Sequence, residues 1–386
     1  MINETIFELI GQEKIYGKLM TFVEKEMIST GYLFAGPKGS GKISMALNFA
    51  SALNCESAND TSACGKCNSC LKMKSINHPN VQLIFATIRG KNPKDDDPIA
   101  GLTKNEFEEY QEIIQNLKKD SYASLKMQGA KKILISNIRK VKKDLLYSNI
   151  ESGWRVIIVN LAEQLGIEAF NSILKILEEP PAQTVFILTT EKLSIIPDTI
   201  ISRCQVIKFN SIPEEKIIEY LNNTSIDDAT KNRIARLSNG NIRKVKELIQ
   251  RDFTEEDGKV LNFWRLMMGS KVNNKPTSML DVTKLVNEYA KLAKEDYDEF
   301  INKLQLILFW LRDAQIISVG GTPEFLINSY LVNELEKFAN YYKKFSYQKI
   351  IDIVEETIDY SAKNLYVPSL LGRLFFSIRE ELRNAK

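Results

Sequence analysis

The fold is decided by residues 31–42, which read GYLFAGPKGSGK. An apolar run is followed by a glycine-rich loop, and apolar side chains then recur at helical spacing from Ile43 to Asn54. This order is the context of a phosphate-binding P-loop, because glycine lets backbone N–H groups approach phosphates and a helix N-terminus favours negative charge. The sequence therefore predicts an α/β domain with an anion cradle made by Gly36, Gly39, Gly41 and Lys42.

Three further apolar segments predict strands, at residues 80–87, 155–159 and 184–188. Between the last two, residues 166–178 repeat apolar side chains at helical spacing, and Pro180-Pro181 ends that helix. Strands that alternate with helices predict a mostly parallel sheet with helices on both faces. The strand pattern disappears after about residue 212, and the rest of the sequence reads as helical.

We therefore expect an α/β domain over residues 1–211, a small helical unit over 212–265 and an all-helical domain over 270–386. Residues 90–132 differ in composition and are interpreted as an insertion. Its stretch 94–112 has a net charge of −5, whereas residues 118–143 have a net charge of +8 and are read as a basic helix. The basic stretch has two open interpretations, a DNA-facing surface or a solvated helix face.

Composition excludes several classes of function. The formal net charge of the 386 residues is +3, which excludes a globally basic nucleic-acid coat. The single histidine, His78, excludes a His-rich metal site and any mechanism with two histidines, and it is expected to lie in a loop or core. The N-terminus lacks the pattern of a signal peptide, and no apolar stretch is long enough to span a bilayer. We expect a soluble, cytoplasmic protein without a membrane partner, whose cysteines do not form a disulfide framework.

Four of the five cysteines lie within sixteen residues, a module over residues 55–70. Four thiolates can close a tetrahedral shell, the usual geometry of structural zinc, and leave no position for catalysis. An iron–sulfur cluster also uses four thiolates, but the long first spacing fits ferredoxin patterns poorly. Four unrelated buried cysteines are the remaining alternative. The spacing favours structural Zn²⁺, with the ligands Cys55, Cys64, Cys67 and Cys70.

Two parts of an ATP-hydrolysing site are absent from the sequence. The position after Lys42, where Ser or Thr would hold Mg²⁺, is Ile43, and Ser44 is one residue late and points elsewhere on the helix. The strand at 155–159 is followed by Asn160-Leu161-Ala162 instead of acids. The sequence predicts no Mg²⁺ site and no hydrolysis. The preferred interpretation is a degenerate P-loop that is kept only as an element of the fold, with weak binding of an anion or nucleotide at Lys42 left open.

Several strings together resemble the bacterial DNA polymerase III clamp-loader family, in particular its delta-prime subunits. They are IGQE at residues 10–13, the glycine-rich loop, the four-cysteine module, NSILKILEEPP at 171–181 and SRC at 202–204. The tail NLYVPSLLGRL at 364–374 is similar in pattern to the last helix of the family's collar domain. The string NSILKILEEPP followed by SRC is specific to this family, whereas the glycine-rich loop alone is not.

The resemblance implies an AAA+ fold: a RecA-like α/β domain, a helical lid and a helical collar. It implies a hetero-pentamer with gamma/tau and delta subunits that loads a sliding clamp on primer–template DNA in replication, within a DNA polymerase holoenzyme (EC 2.7.7.7 for the assembly). Arg203 would be an arginine finger acting in trans on a neighbour's ATP. Arg243 corresponds to the lid arginine called sensor 2, expected to be structural where ATP does not bind.

The resemblance favours a non-hydrolysing subunit of the delta-prime type, because Ile43 and residues 160–162 lack the metal-binding groups of a motor subunit. Two alternatives remain, an active ATPase of the gamma/tau type and a zinc-dependent DNA-binding module outside replication. The residues taken as candidates for DNA contact are Arg139, Lys142 and Lys143.

Overall fold

The computed structural model describes residues 5–57, 62–89, 97–146, 152–251, 253–269, 278–363 and 365–385. Residues 90–96, which begin the predicted insertion, and Asn364 of the tail motif lie outside the described residues. The chain forms two compact units, Met1–Ile249 and Gln250–Lys386.

A parallel sheet forms the centre of the first unit. Its strands, within the described ranges, are β1 (Gly31–Ala35), β2 (Val81–Ile84), β3 (Arg155–Val159), β4 (Thr184–Thr190) and β5 (Gln205–Lys208). Their order in space is β2-β3-β4-β1-β5, with every neighbouring pair parallel. β1 and β4 are buried along their whole length. Since β1 lies between β4 and β5, the chain leaves the carboxyl end of β1 at a topological switch point, where α/β proteins bind ligands.

Helices cover the sheet and then continue as a small helical group. Around the sheet lie α1 (Glu13–Glu24), α2 (Lys42–Leu53), α3 (Asn68–Lys74), α4 (Lys104–Lys119), α5 (Ile135–Asp144), α6 (Ile167–Glu178) and α7 (Asp198–Ile201). The helical group consists of α8 (Glu214–Leu221), α9 (Asp228–Ser238) and α10 (Ile242–Ile249). This is the RecA-like AAA+ arrangement, and the predicted fold class, an α/β domain followed by helices, is confirmed.

The predicted elements differ from the structure at several places. The strand expected over residues 80–87 covers only Val81–Ile84, and β5 was not predicted at all. The basic residues 118–143 do not form one helix, since they are divided among the end of α4, a loop and the start of α5. The loop exists because α4 and α5 each bury their own apolar side chains against the sheet's core.

The segment interpreted as an insertion is part of the first unit's core. On α4, Ile113 and Leu117 are buried, and the ring of Tyr110 stacks on Phe85 with centroids 5.6 Å apart. A capping box formed by Thr103 and Glu106 begins this helix. The described part of the insertion is therefore a structural layer next to β2 rather than an appended loop.

The second unit is all helical in the part of the chain that the structure describes. Its helices are α11 (Phe253–Met267), α12 (Met279–Glu295), α13 (Tyr297–Ser318), α14 (Val332–Tyr341), α15 (Tyr347–Ser361) and α16 (Val367–Asn384). α11 was expected to end the lid, but Phe263, Trp264 and Met267 are buried in this unit's core. Trp264 stacks on Trp310 with ring centroids 5.9 Å apart. No helix among the described residues is both long and apolar enough to cross a membrane.

Candidate functional site

The glycine-rich loop lies between β1 and α2, at the carboxyl edge of the sheet. Gly39 and Gly41 have φ values of +72° and +87°, a backbone conformation that L-residues with side chains rarely adopt. Gly41 is the N-cap of α2, so the first N–H groups of that helix are directed toward the loop. The four residues predicted for the cradle, Gly36, Gly39, Gly41 and Lys42, are therefore placed together, and their geometry suits an anion.

Lys42 is turned onto its own loop. Its Nζ donates hydrogen bonds to the carbonyl oxygens of Gly36 and Pro37, both at 2.7 Å, and the residue is only 7% exposed. Burial lowers the pKa of Lys42 to about 8, although the nearby carboxylates of Glu191 and Glu163 raise it. Burying an ammonium group without a carboxylate in direct contact is costly, and two carbonyl acceptors offset part of that cost.

The groups that would hold Mg²⁺ are replaced by side chains with other partners. Ser44 is buried and donates to the carbonyl of Glu8, away from the loop, as its late position predicts. At the end of β3, Asn160 accepts a hydrogen bond from the hydroxyl of Thr189 at 3.2 Å. Glu163 accepts the N–H of Glu191 at 2.9 Å. Among these residues Glu163 supplies the only carboxylate of the 160–163 segment, and it already fixes the end of β4.

Arg203 lies at the amino end of β1, whereas the glycine-rich loop follows the carboxyl end of the same strand. The carbonyl oxygen of Arg203 would be 3.2 Å from a Cβ added at Gly31, the first residue of β1, whereas the loop follows the last residue of that strand. A strand advances about 3.3 Å per residue, so five residues separate Arg203 from its own loop by roughly 16 Å. An arginine side chain does not span that distance, and Arg203 therefore cannot serve the loop of its own chain.

The guanidinium of Arg203 is held loosely at the surface. Its side chain is 39% exposed, forms an ion pair of 2.9 Å with Glu178 and donates to the carbonyl of Thr199 at 3.2 Å. Glu178 ends α6, the helix of the 171–181 string, so the two sequence signatures meet in space. Cys204, by contrast, is buried beside Gly31, and burial raises the pKa of its thiol to about 12.

The four predicted cysteine ligands are brought together by the structure. Their sulfur atoms all lie within 4.8 Å of one another, and the Sγ of Cys70 is 3.9 Å from that of Cys64 and 3.7 Å from that of Cys55. A tetrahedral zinc with Zn–S bonds of ~2.3 Å holds its sulfurs about 3.8 Å apart, so the residues fit such an ion. All four are free thiols, and the group could hold a metal ion.

Backbone N–H groups around Cys64 favour the thiolate form that metals bind, whereas burial raises the pKa of the Cys55 and Cys70 thiols. The N–H groups of Lys66 and Cys67 point at the Sγ of Cys64, at 3.4 and 3.3 Å, and lower the pKa of that thiol to about 6. The N–H of Cys64 in turn points at the Sγ of Cys55 at 3.3 Å. The turn between these residues requires the positive φ of Gly65, +68°.

His78 is a buried core residue and not one of the sulfur-cluster ligands. Its Nδ1 accepts the N–H of Asn80 at 3.2 Å, so Nε2 carries the proton and donates to the hydroxyl of Ser69 at 2.9 Å. Ser69 lies on α3 between Cys67 and Cys70. The histidine therefore joins the cysteine module to the start of β2.

The three candidate DNA contacts lie on α5, apart from the loop. Arg139, Lys142 and Lys143 are exposed, while Ile138 and Val141 of the same helix are buried. Residues three and four apart share one helix face, so these cations form one solvent-facing stripe.

Two residues that contact the glycine-rich loop, Tyr122 and Asn241, were not identified from the sequence. The ring of Tyr122 lies against Gly41, and Asn241 lies against Gly39. Arg243, proposed from the resemblance, is near but donates to the carbonyls of Tyr122 and Ala123 at 2.9 and 3.1 Å. No local spacing indicates these contacts, because Tyr122 stands within the segment interpreted as an insertion.

Comparison with known proteins places the chain in a family. A family model described as DNA polymerase III, delta subunit, matches residues 11–213, more than half of the chain. Subunit delta' of Bacillus subtilis is 25% identical over 370 residues, 96% of each chain. Subunit tau of the same organism is 25% identical over 345 residues, and subunit gamma of Buchnera aphidicola is 26% identical over 259. These matches cover 85% and 66% of this chain but only 53% of tau and 60% of gamma. The chain thus belongs to the DNA polymerase III delta-subunit family and is a member of the clamp-loader group of AAA+ proteins.

Proposed function

We propose that the chain is a non-hydrolysing clamp-loader subunit of the delta-prime type, which acts through Arg203 on ATP bound by a neighbouring subunit. One observation carries the proposal. Arg203 is exposed at the amino end of β1, roughly 16 Å from the glycine-rich loop of its own chain. That loop lacks the residues that would bind Mg²⁺. An arginine placed in this way can complete only a site that belongs to another molecule.

The chemistry needs no nucleotide on the subunit that supplies the arginine. A guanidinium stabilises charge that develops on a transferring phosphoryl group, an effect on the order of 10³–10⁵ in rate. To reach a phosphate, Arg203 must leave Glu178. Exposed ion pairs contribute about 0–1 kcal/mol, so the exchange of a carboxylate for a polyphosphate costs little. Glu178 holds the arginine folded back in the separate subunit without preventing its use.

The partners follow from the named relatives. Delta', tau and gamma are subunits of DNA polymerase III, which supports an assembly of this chain with gamma/tau and delta subunits in the cytoplasm. We propose that the assembly is a hetero-pentamer and acts on a sliding clamp and primer–template DNA. The exposed stripe of Arg139, Lys142 and Lys143 is the candidate DNA contact, because lysine and arginine bind phosphates without reading sequence.

Structural zinc is the proposed occupant of the cysteine cluster. Cys55, Cys64, Cys67 and Cys70 would hold it, and a closed shell of four thiolates supplies folding free energy rather than catalysis. The ion would fix the turn after α2 and, through Ser69 and His78, the start of β2.

Two measurements test the proposed function together. The chain is mixed with gamma/tau and delta subunits of one bacterium, and the mass of the assembly is determined. ATP turnover of the chain alone is measured beside Lys42→Ala. We expect one copy in the assembly and no turnover above the variant. Turnover that disappears in Lys42→Ala would instead identify an active gamma/tau-type ATPase. Tight, salt-sensitive DNA binding without assembly would identify a zinc-dependent DNA-binding module.

A further inference from the structure

The crevice in front of the glycine-rich loop is filled by residues 120–123 of the same chain. The hydroxyl of Tyr122 accepts the N–H of Ile10 at 3.0 Å, and a Cβ added at Gly41 would lie 3.1 Å from that hydroxyl. Tyr122 is only 4% exposed. Its ring therefore occupies the space directly next to the N-cap of α2, the helix end at which a loop of this kind binds anions.

Neighbouring residues attach this segment to the start of the α/β domain. The hydroxyl of Ser121 lies 3.2 Å from the carbonyl oxygen of Glu8 and 3.1 Å from the hydroxyl of Ser44. Ser44 belongs to the first turn of α2. Residues 121 and 122 thus satisfy polar groups on both sides of the crevice, at Glu8 and Ile10 and on the helix that follows the loop.

The small helical group holds the segment from the opposite side. Arg243 of α10 donates to the carbonyls of Tyr122 and Ala123, at 2.9 and 3.1 Å. Lys246 of the same helix contacts Asp120 at 2.7 Å and Glu8 at 2.5 Å, and its Nζ stands 5.2 Å from the centre of the Tyr122 ring. Although burial opposes its charge, the bonds to Asp120 and Glu8 raise the pKa of Lys246. These polar contacts join α10 to Glu8 and to residues 120–123.

The charges around the crevice suit a polyphosphate. Lys42 and Arg243 are close enough for Arg243 to lower the pKa of Lys42, behind the effects of burial and the two glutamates. Two cations beside a loop of inward N–H groups are the usual surroundings of nucleotide phosphates. Here Arg243 donates instead to the carbonyls of residues 122 and 123, and Lys246 donates to the carboxylate of Asp120. These oxygen atoms take the role of acceptors that phosphate oxygens would otherwise have.

We propose that residues 120–123 are a built-in ligand of this crevice, which takes the place of a nucleoside polyphosphate and holds α10 on the α/β domain without nucleotide. The inference deepens the proposed non-hydrolysing role, and it is independent of what Arg203 does in an assembly. The lid geometry of this chain would then be constant, because the ligand that fixes it is covalently attached and is not consumed.

The test measures binding of inorganic pyrophosphate and of fluorescent ADP, without Mg²⁺, to the full chain. Tyr122→Ala empties the space next to Gly41, and Tyr122→Phe keeps the ring and loses only the bond from Ile10. An occluded site lowers apparent affinity by the fraction that is open, so Tyr122→Ala is expected to bind at least about tenfold tighter than the unmodified chain. Tyr122→Phe should resemble the unmodified chain, and adding Lys42→Ala to Tyr122→Ala should abolish the gain.

Equal binding by the unmodified chain and Tyr122→Ala would overturn the inference, as would a folded Tyr122→Ala that binds neither probe. If the unmodified chain binds the probes as tightly as Tyr122→Ala and does not turn over ATP with Mg²⁺, the inference alone is overturned, whereas ATP turnover would overturn the proposed function as well. If Tyr122→Ala does not fold, hydrogen exchange of Arg243→Lys decides. That variant keeps the charge but loses the paired bonds to residues 122 and 123, so exchange should rise together in residues 120–125 and in α10. A rise in only one of the two, or in neither, would refute a shared lock.

Discussion

Lys42 makes the stability of the first unit depend on pH in a direction that can be worked out. Its pKa is lowered from 10.5 to about 8, mainly because the ammonium is buried. The unfolded chain therefore binds this proton more tightly than the folded chain does. The free-energy penalty for burying the protonated Lys42 is fully present below about pH 8 and decreases as the pH rises toward 10.5. This group therefore makes the folded state more stable at alkaline pH.

The size of the effect follows from the shift. One pKa unit corresponds to about 1.4 kcal/mol, so the full penalty is on the order of 3 kcal/mol. By the linkage relation, this penalty decreases by roughly 2 kcal/mol between about pH 7 and 9.5. Lys42→Met removes the titrating group at similar length. The free energy of unfolding of the unmodified chain, minus that of Lys42→Met, should therefore rise by this amount over the interval.

Urea unfolding at a series of pH values, followed by circular dichroism, gives this difference, and groups that titrate in both proteins cancel. The matched control is Lys38→Met, which changes an exposed lysine on the same loop. A difference between the unmodified chain and Lys42→Met that stays constant, or falls, as the pH rises would show that Lys42 is not buried as an ammonium between two carbonyls.

Two other predictions concern metal and DNA. Metal analysis should find about one zinc per chain, which Cys67→Ser loses, because one shell of four thiolates holds one ion; iron with acid-labile sulfide would contradict this. In the assembled complex, replacing Arg139, Lys142 and Lys143 together by Ala should reduce the slope of log affinity for primer–template DNA against log salt by about 3 if all three contact phosphates. The triple change Lys337, Lys343 and Lys344 to Ala is the control for charge, and an equal slope in both variants would refute the contact.

The central sheet and the cysteine cluster could be predicted because their signals are local. β1, β3 and β4 are buried on both faces and are nearly continuous apolar runs, which stand out in any window of sequence. β5 escaped notice because it is a four-residue edge strand with Gln205 and Lys208 at its ends. The cysteines lie within one short segment, so spacing alone indicates a shared ion.

Contacts between distant positions could not be predicted from local patterns. Tyr122 meets Ile10 across 112 positions, and Lys246 meets Glu8 across 238. Nothing in the residues that flank Tyr122 indicates that a glycine-rich loop lies beside it. From the sequence, most of α11 is assigned to the lid for a similar reason. Only the packing of Trp264 against Trp310 and Phe338 shows that this helix belongs to the second unit.

The most direct test of the account compares clamp-loader complexes that contain the unmodified chain, Arg203→Ala or Arg203→Lys. Arg89→Ala, an exposed arginine five positions after the edge strand β2, is the control. Arg203 is a partly exposed surface residue, so each variant should fold and assemble. Assembly is checked by mass, and DNA-stimulated ATPase and clamp loading are then measured at equal complex concentration.

We predict that Arg203→Ala lowers ATPase in part, because other ATP sites have their own arginines, and impairs clamp loading, while Arg89→Ala changes neither. Arg203→Lys should recover little, since lysine lacks the planar fork that binds two phosphate oxygens. Unchanged ATPase and clamp loading in a fully assembled Arg203→Ala complex would contradict the account and leave Arg203 as a surface partner of Glu178.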